Sequence, residues 1–292
     1  MSDMVRSVDV VRVRGGQRAS EQDRAATEEP LEIRLHSRPF AVVMRTPGAD
    51  RELAAGFLLA EGVIAGADDL GTIEYCTDEQ PQSAPSTQSH GFSAVSARSA
   101  VASSNVVNVT LMDEPRVARA LADRRLVTTN ASCGMCGRLT IDSLRSNAPA
   151  ISTDWRMSID ALLAVPDRLR AAQHVFDETG GLHAAGLFTR EGVLDAMAED
   201  VGRHNAVDKV IGRMVMQERL PLADRLLFVS GRTSFEIVQK AFLAGIPMVA
   251  AVSAPSTLAI ELAQDSGVTL IGFLRGRNFN IYAHPHRVER GV

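Results

Sequence analysis

Cysteine is scarce in this chain, with three residues in 292. A small, odd number cannot form a fully paired disulfide framework, so the expected setting is a reducing compartment. A strong charge of one sign is also missing. The 31 Lys and Arg against 35 Asp and Glu leave a formal net charge of −4, which argues against a general nucleic-acid binder. No uninterrupted apolar run reaches the length of a membrane span. Residues 1–24 mix Arg, Asp and Gln around no apolar signal core. The expectation is a soluble, cytoplasmic protein with neither membrane nor nucleic acid as partner. What remains is ordinary for a globular chain, 45% hydrophobic and 23% charged, and long enough for two domains or one large one.

Two of the three cysteines share one stretch, Cys133-Gly134-Met135-Cys136-Gly137. Glycine adopts backbone angles closed to other residues and resists regular structure, so the spacing predicts a flexible loop carrying two thiols. Such a pair is suited to receiving a group and passing it on. Three other readings compete. A structural zinc site needs two more Cys or His ligands at tight spacing. Only Cys76 remains, and only His284 and His286 form a second close pair. A thioredoxin-like redox pair normally opens a helix after a strand, whereas Cys136 runs into Gly137. An inert buried pair sits poorly among glycines and polar neighbours.

The chain divides into a disordered or extended segment at 1–30, a smaller N-terminal α+β subdomain at 31–150, and an α/β domain at 151–292. In the first subdomain, alternation at Leu31, Ile33 and Leu35 predicts two strands over 31–45, turning at Ser37-Arg38-Pro39. Helical spacing of Leu53, Phe57, Leu58 and Ile64 predicts a helix near 50–61. A Ser-, Ala- and Gln-rich stretch at 77–104 reads as a flexible insertion. A strand at 106–111 and a helix at 115–126 lead to the cysteine loop, with another helix near 141–145. The second half predicts a helix at 158–176, strands at 182–188 and 193–198, and a helix at 202–217. Strand–helix units follow at 225–244 and 248–264, then strands at 268–273 and 279–282. The near-continuous apolar strands point to a largely parallel sheet between helix layers.

Three of those strands end in polar turns: Ser230-Gly231-Arg232-Thr233-Ser234, Ser253-Ala254-Pro255-Ser256-Thr257, and Leu274-Arg275-Gly276-Arg277-Asn278. In a parallel sheet they share one edge, where ligands of open α/β sheets bind. Helix N-termini there favour phosphates, and Arg232, Arg275 and Arg277 suit phosphate or guanine edges. Helix capping accounts for any one turn by itself; three together favour an anionic ligand such as a nucleotide. Asp200, Arg203, His204 and Asn205 crowd the start of the 202–217 helix, where His204 and Asp208 are spaced to meet on one flank. They read equally as a functional cluster or a satisfied buried pair. His183, after Gly180-Gly181, is similarly open.

The CGMCG loop, the Arg51-Glu52-Leu53-Ala54-Ala55-Gly56-Phe57 helix and the Thr179-Gly180-Gly181-Leu182-His183-Ala184-Ala185 stretch come together with residues 199–209, 230–234 and 272–282. In that order, over about residues 30–284, they resemble the formate dehydrogenase accessory sulfurtransferases (FdhD). The insertion at 77–104 departs from that family's compact pattern. The resemblance implies a carrier that takes persulfide sulfur from a cysteine desulfurase. It would pass the sulfur to the molybdenum (or tungsten) bis-guanine-dinucleotide cofactor before that cofactor enters the formate dehydrogenase catalytic subunit. Cys133 matches the persulfide-forming cysteine and Cys136 the second loop thiol. Phe273, Leu274, Arg275, Gly276, Arg277 and Asn278 match the cofactor-binding segment. Ser230, Gly231, Arg232, Thr233, Ser234, His183, Arg203 and His204 complete the expected cofactor edge. Mo-bis(molybdopterin guanine dinucleotide) is then a bound client, with no tightly held metal of the protein's own, and a homodimer is expected. The implied fold is a three-layer, cytidine-deaminase-like C-terminal sheet. Deaminase chemistry itself is excluded, because Ala184 and Ala185 follow His183 and no cysteine lies beyond Cys136. The rival functions are a non-catalytic cofactor-binding chaperone and a redox-sensing dithiol protein.

Overall fold

The computed structural model describes residues 4–76, 105–122 and 149–289. The expected insertion at 77–104, the 133–137 loop with Cys133 and Cys136, and the helix near 141–145 lie outside them.

Where a disordered or extended segment was expected, the chain forms an antiparallel hairpin of β1 (Val5–Arg14) and β2 (Gln17–Ala26). Gly15 and Gly16 both take positive φ, 56° and 83°, the geometry a two-residue hairpin turn requires. Charged residues, which made the segment look unstructured, pair across the strands instead: Arg12 lies 2.8 Å from Asp23 and 3.3 Å from Glu21.

β3 (Glu29–Leu35) and β4 (Arg38–Arg45) follow, with α1 (Asp50–Ala60), β5 (Leu70–Tyr75), β6 (Val106–Leu111) and α2 (Glu114–Ala122). They build a four-stranded sheet in the order β4-β3-β6-β5, with β3 and β6 parallel. Alternation puts Leu31, Ile33 and Leu35 in the core, as the sequence pattern predicts.

Beyond residue 149 come β7 (Met157–Ser158), α3 (Ile159–Ala172) and α4 (His174–Thr179). One helix was expected here. The chain breaks at Gln173, and the Glu199 carboxylate accepts from Val175 N and Phe176 N at 3.0 and 2.8 Å, capping a second helix. Then follow β8 (His183–Phe188), β9 (Leu194–Asp200), α5 (Arg203–Met216), β10 (Leu226–Val229), α6 (Phe235–Leu243), β11 (Met248–Ala251), α7 (Thr257–Ser266), β12 (Thr269–Arg275), β13 (Asn278–Ala283) and β14 (Val288–Glu289).

The main sheet runs β13-β12-β11-β10-β8-β9. It is mixed rather than largely parallel. Only β10, β11 and β12 are mutually parallel; the pairings β10/β8, β8/β9 and β12/β13 are antiparallel. The cause is local, since β8 and β12 each turn back through a tight connection, and short turns join only antiparallel strands.

Alternation along these strands serves two cores. Ala184, Phe188, Leu226, Phe228, Met248, Ala250 and Ile271 pack with Leu162, Val165 and Leu169 of α3. Ala185, Leu187, Leu227, Val229, Val249, Ala251 and Leu270 lie in the cluster that holds α5, α6 and α7. The sheet is therefore the middle of three layers. That second cluster continues into Leu53, Leu58 and Leu31, so one core joins the parts on either side of residue 150. Close helix contact makes this possible: a Cβ on Gly56 of α1 would overlap the Asp208 carbonyl, and one on Gly212 of α5 would overlap that of Glu52. No helix among the described residues is long and apolar enough to cross a membrane.

Candidate functional site at the strand ends

The parallel run of β10, β11 and β12 brings their three following turns to one edge, and backbone hydrogen bonds join them. Thr233 N donates to Ala254 O at 3.3 Å, Ser256 N to Thr233 O at 3.0 Å, and Phe273 N to Ser253 O at 3.2 Å. Because β8 is antiparallel to β10, its first residue arrives at the same edge. The imidazole of His183 borders Gly231, within 3.5 Å of where a Cβ would stand there. Ser230 fixes that approach, accepting from Ala184 N at 2.9 Å through its hydroxyl and donating its own N–H to Ala184 O at 2.9 Å. β9 ends opposite His183, at Asp200, and so delivers α5 with Arg203 and His204.

The edge is cationic. Arg232, Arg275, Arg277 and Asn278 are exposed there, and Arg275 stacks over Phe273 with its guanidinium 5.7 Å from the ring centroid. Phe273 has a positive φ of 56° at an irregularity in the β12/β13 ladder. Gly276, also at positive φ, turns the hairpin tip. Two expected residues face away from solvent. Leu274 is fully buried in the core against α3, and Thr233 is 1% exposed, contributing backbone rather than side chain. The Arg203 Nε is buried without a hydrogen-bond partner, so its guanidinium is not consumed by a structural contact on that atom. Burial, then the neighbouring charge of Arg203 and His204, hold His183 below its ordinary value against the opposing charge of Asp200. Among the described residues no group of three or more His, Cys, Asp and Glu is placed to hold a metal ion.

Beneath this surface lies a polar layer. The pairing of His204 with Asp208 that their spacing suggests is not made. His204 Nε2 is 3.1 Å from Ser234 Oγ and Nδ1 is 2.9 Å from Glu236 Oε2, while Asp208 receives Lys240. Asp200, fully buried, is 2.6 Å from Lys209 Nζ and accepts from Gly202 N, Asn205 Nδ2 and Thr46 N. Lys209 also donates to Thr46 O at 2.8 Å, tying the β4–α1 connection to the start of α5. Sequence reading missed Glu236, Lys240 and Thr46. The available signal was a polar residue recurring on the otherwise apolar face of α6.

The comparisons with known proteins agree with one another. The model of the FdhD/NarQ family matches residues 26–289. The sulfur carrier protein FdhD of Streptomyces avermitilis is 49% identical over 282 residues, covering 96% of this chain and 94% of its own length. That of Sulfolobus acidocaldarius is 40% identical over 285 residues, covering 98% and 99%. The crystal structure of a candidate formate dehydrogenase accessory protein from Desulfotalea psychrophila superposes with a TM-score of 0.73 at 23% identity, covering 98% of this chain and all of that one, a likeness of fold.

Proposed function

The chain belongs to the FdhD/NarQ family, and on that premise we propose that it carries sulfur in the maturation of formate dehydrogenase. The observation that carries the reading furthest is the edge where three strand-end turns meet His183 and Arg203, with Arg232, Arg275 and Arg277 exposed. Guanidinium groups and helix N-termini suit the phosphates and guanine of a bis-guanine-dinucleotide cofactor, which is the substrate of the transfer.

The sulfur enters at Cys133. Its thiolate attacks the terminal sulfur of a cysteine desulfurase persulfide; the new S–S bond forms on Cys133 as the donor cysteine leaves as a thiolate. A cysteine of ordinary pKa is mostly protonated at neutral pH, so the positive charge of Arg138 assists. Cys136 either carries sulfur in turn or attacks the loaded Cys133, releasing sulfide as a disulfide forms. Delivery to molybdenum or tungsten follows at the cationic edge. The cytidine-deaminase-like description of the sheet, a cytoplasmic setting and a homodimer belong to the same reading.

The test is intact mass after incubation with a cysteine desulfurase and cysteine, comparing wild type with Cys133→Ala and Cys136→Ala. A gain of one or more sulfur masses that vanishes with Cys133→Ala supports the carrier. No gain from an active donor and reduced protein leaves a non-catalytic chaperone that binds cofactor at the same edge.

A further inference from the structure

Three serines stand at the N-cap positions of α3, α6 and α7, and one behaves differently. Ser158 and Ser256 cap their helices, accepting from Ala161 N at 3.2 Å and Ala259 N at 3.3 Å. Ser234 makes no side-chain cap to α6. Its hydroxyl is directed to His204 Nε2 at 3.1 Å, and the other ring nitrogen lies 2.9 Å from Glu236 Oε2. A hydroxyl, an imidazole and a carboxylate in that order form a relay. The carboxylate stands within ion-pair distance of Nδ1, where it favours the imidazolium that forms when Nε2 takes the hydroxyl proton. The relay is assembled from two separate elements, α5 supplying the base and the entry to α6 supplying the hydroxyl and the carboxylate.

Exposure fits the roles. The side chains of His204 and Glu236 are 9% and 13% exposed, and Ser234 is only partly buried at the open edge. Burial pushes the Glu236 carboxyl up, but its pairing with His204 and the charges of His204, Lys240 and Arg203 reverse this and hold it below its ordinary value. The carboxylate is therefore ionised, as an orienting partner must be.

We propose that Ser234 is an activated nucleophile with His204 as its base and Glu236 as the positioning residue, forming a centre that hydrolyses small carboxylic esters. Ser234 Oγ adds to the carbonyl carbon as its proton passes to His204 Nε2. The tetrahedral adduct collapses to acyl-Ser234, and the departing alkoxide takes that proton. Water then adds to the acyl carbon with His204 again as base, freeing the carboxylic acid and restoring the hydroxyl. Ester and water are the only reactants. The proposal is independent of sulfur transfer and needs neither Cys133 nor Cys136.

The test uses the full chain with two probes, an alkyl fluorophosphonate and p-nitrophenyl acetate. The fluorophosphonate forms an O–P bond to Ser234 as fluoride leaves, which intact mass and peptide mapping locate. The expected result is one adduct, on Ser234, absent from S234A, with p-nitrophenyl acetate hydrolysis lost in parallel. Labelling should slow by about 10²-fold or more in H204A. It should slow in E236Q and recover in part in E236D, a rescue that a merely structural carboxylate would not give. Circular dichroism verifies that each variant is folded. No adduct on Ser234 of the folded wild type overturns the proposal, as does labelling of folded H204A at the wild-type rate. Should H204A not fold, equal rates in E236Q and wild type have the same force.

Discussion

Lys240 Nζ donates to both oxygens of Asp208, at 2.6 and 2.8 Å, and the two side chains are 6% and 3% exposed. The pair joins α5 to α6 directly under the strand-end site. Burial raises the Asp208 carboxyl, while for Lys240 burial acts downward and is outweighed by the charges of Asp208 and Glu236. Removing one partner leaves an uncompensated buried charge. Lys240→Met should therefore lower unfolding free energy by about 3–5 kcal/mol, and adding Asp208→Leu should restore much of it. Urea denaturation of the single and double variants measures both, and a double variant no better than the single one contradicts the account.

The approach of α1 to α5 gives a second expectation. Gly56 and Gly212 each face a carbonyl of the opposite helix, with no room for a methyl. Gly56→Ala and Gly212→Ala should each destabilise by about 1–3 kcal/mol or more, because overpacking must push backbone rather than a side chain. A falling melting temperature without loss of far-UV helical signal is the expected signature.

Acid stability should depend on Glu236. Its folded-state pKa lies below the ordinary 4.5, so the unfolded chain binds the proton more readily. The stabilisation is fully present above 4.5 and is lost as pH falls through the folded value. Glu236→Gln should flatten the acid limb of a stability–pH profile below that pH. His183, also depressed, acts higher: stability should fall as pH drops below about 6.5, and His183→Asn should reduce that slope, His286 supplying the remainder. Thermal melts across pH 3–8, a range bracketing the ordinary carboxyl and imidazole values of about 4 and 6.5, resolve the two windows.

Guanine-nucleotide binding is the direct measure of the cationic edge. A charged hydrogen bond contributes about 1.5–3 kcal/mol, so Arg275→Ala with Arg277→Ala should weaken GDP by about tenfold or more. Affinity should also decline with salt, since both side chains are exposed. Calorimetry at two ionic strengths provides the comparison. Unchanged affinity would remove the hairpin tip from the ligand site.

Much of this protein was written in local pattern. The stripe of Val207, Val210, Ile211, Met214 and Val215 marks α5, and the apolar strands with polar turns after them mark β10, β11 and β12. These are legible because helix and strand periods, and the conformational preferences of turn residues, act over a few neighbouring residues. The hairpin of β1 and β2 was not read from the sequence, because its charges look solvated on a lone chain; only the fold pairs them across Gly15-Gly16. Motif order likewise identified the family, since the matched segments span residues 26–289.

Partner choice was not local. His204 and Asp208 were close enough in sequence to suggest each other, yet one takes Glu236 and Ser234 and the other takes Lys240. That selection depends on where α6 lies across α5, which follows from burying α6 over the sheet. The direction of β8 was equally undetermined, because a buried apolar strand satisfies its hydrogen bonds in either orientation. Only the tight turn to β9 and the placement beside β10 decided it, and that decision brought His183 to Gly231. The sequence by itself determined most of the elements and the family. Tertiary packing decided which charges meet, since a buried charge must find its partner among the groups that the completed core leaves within reach.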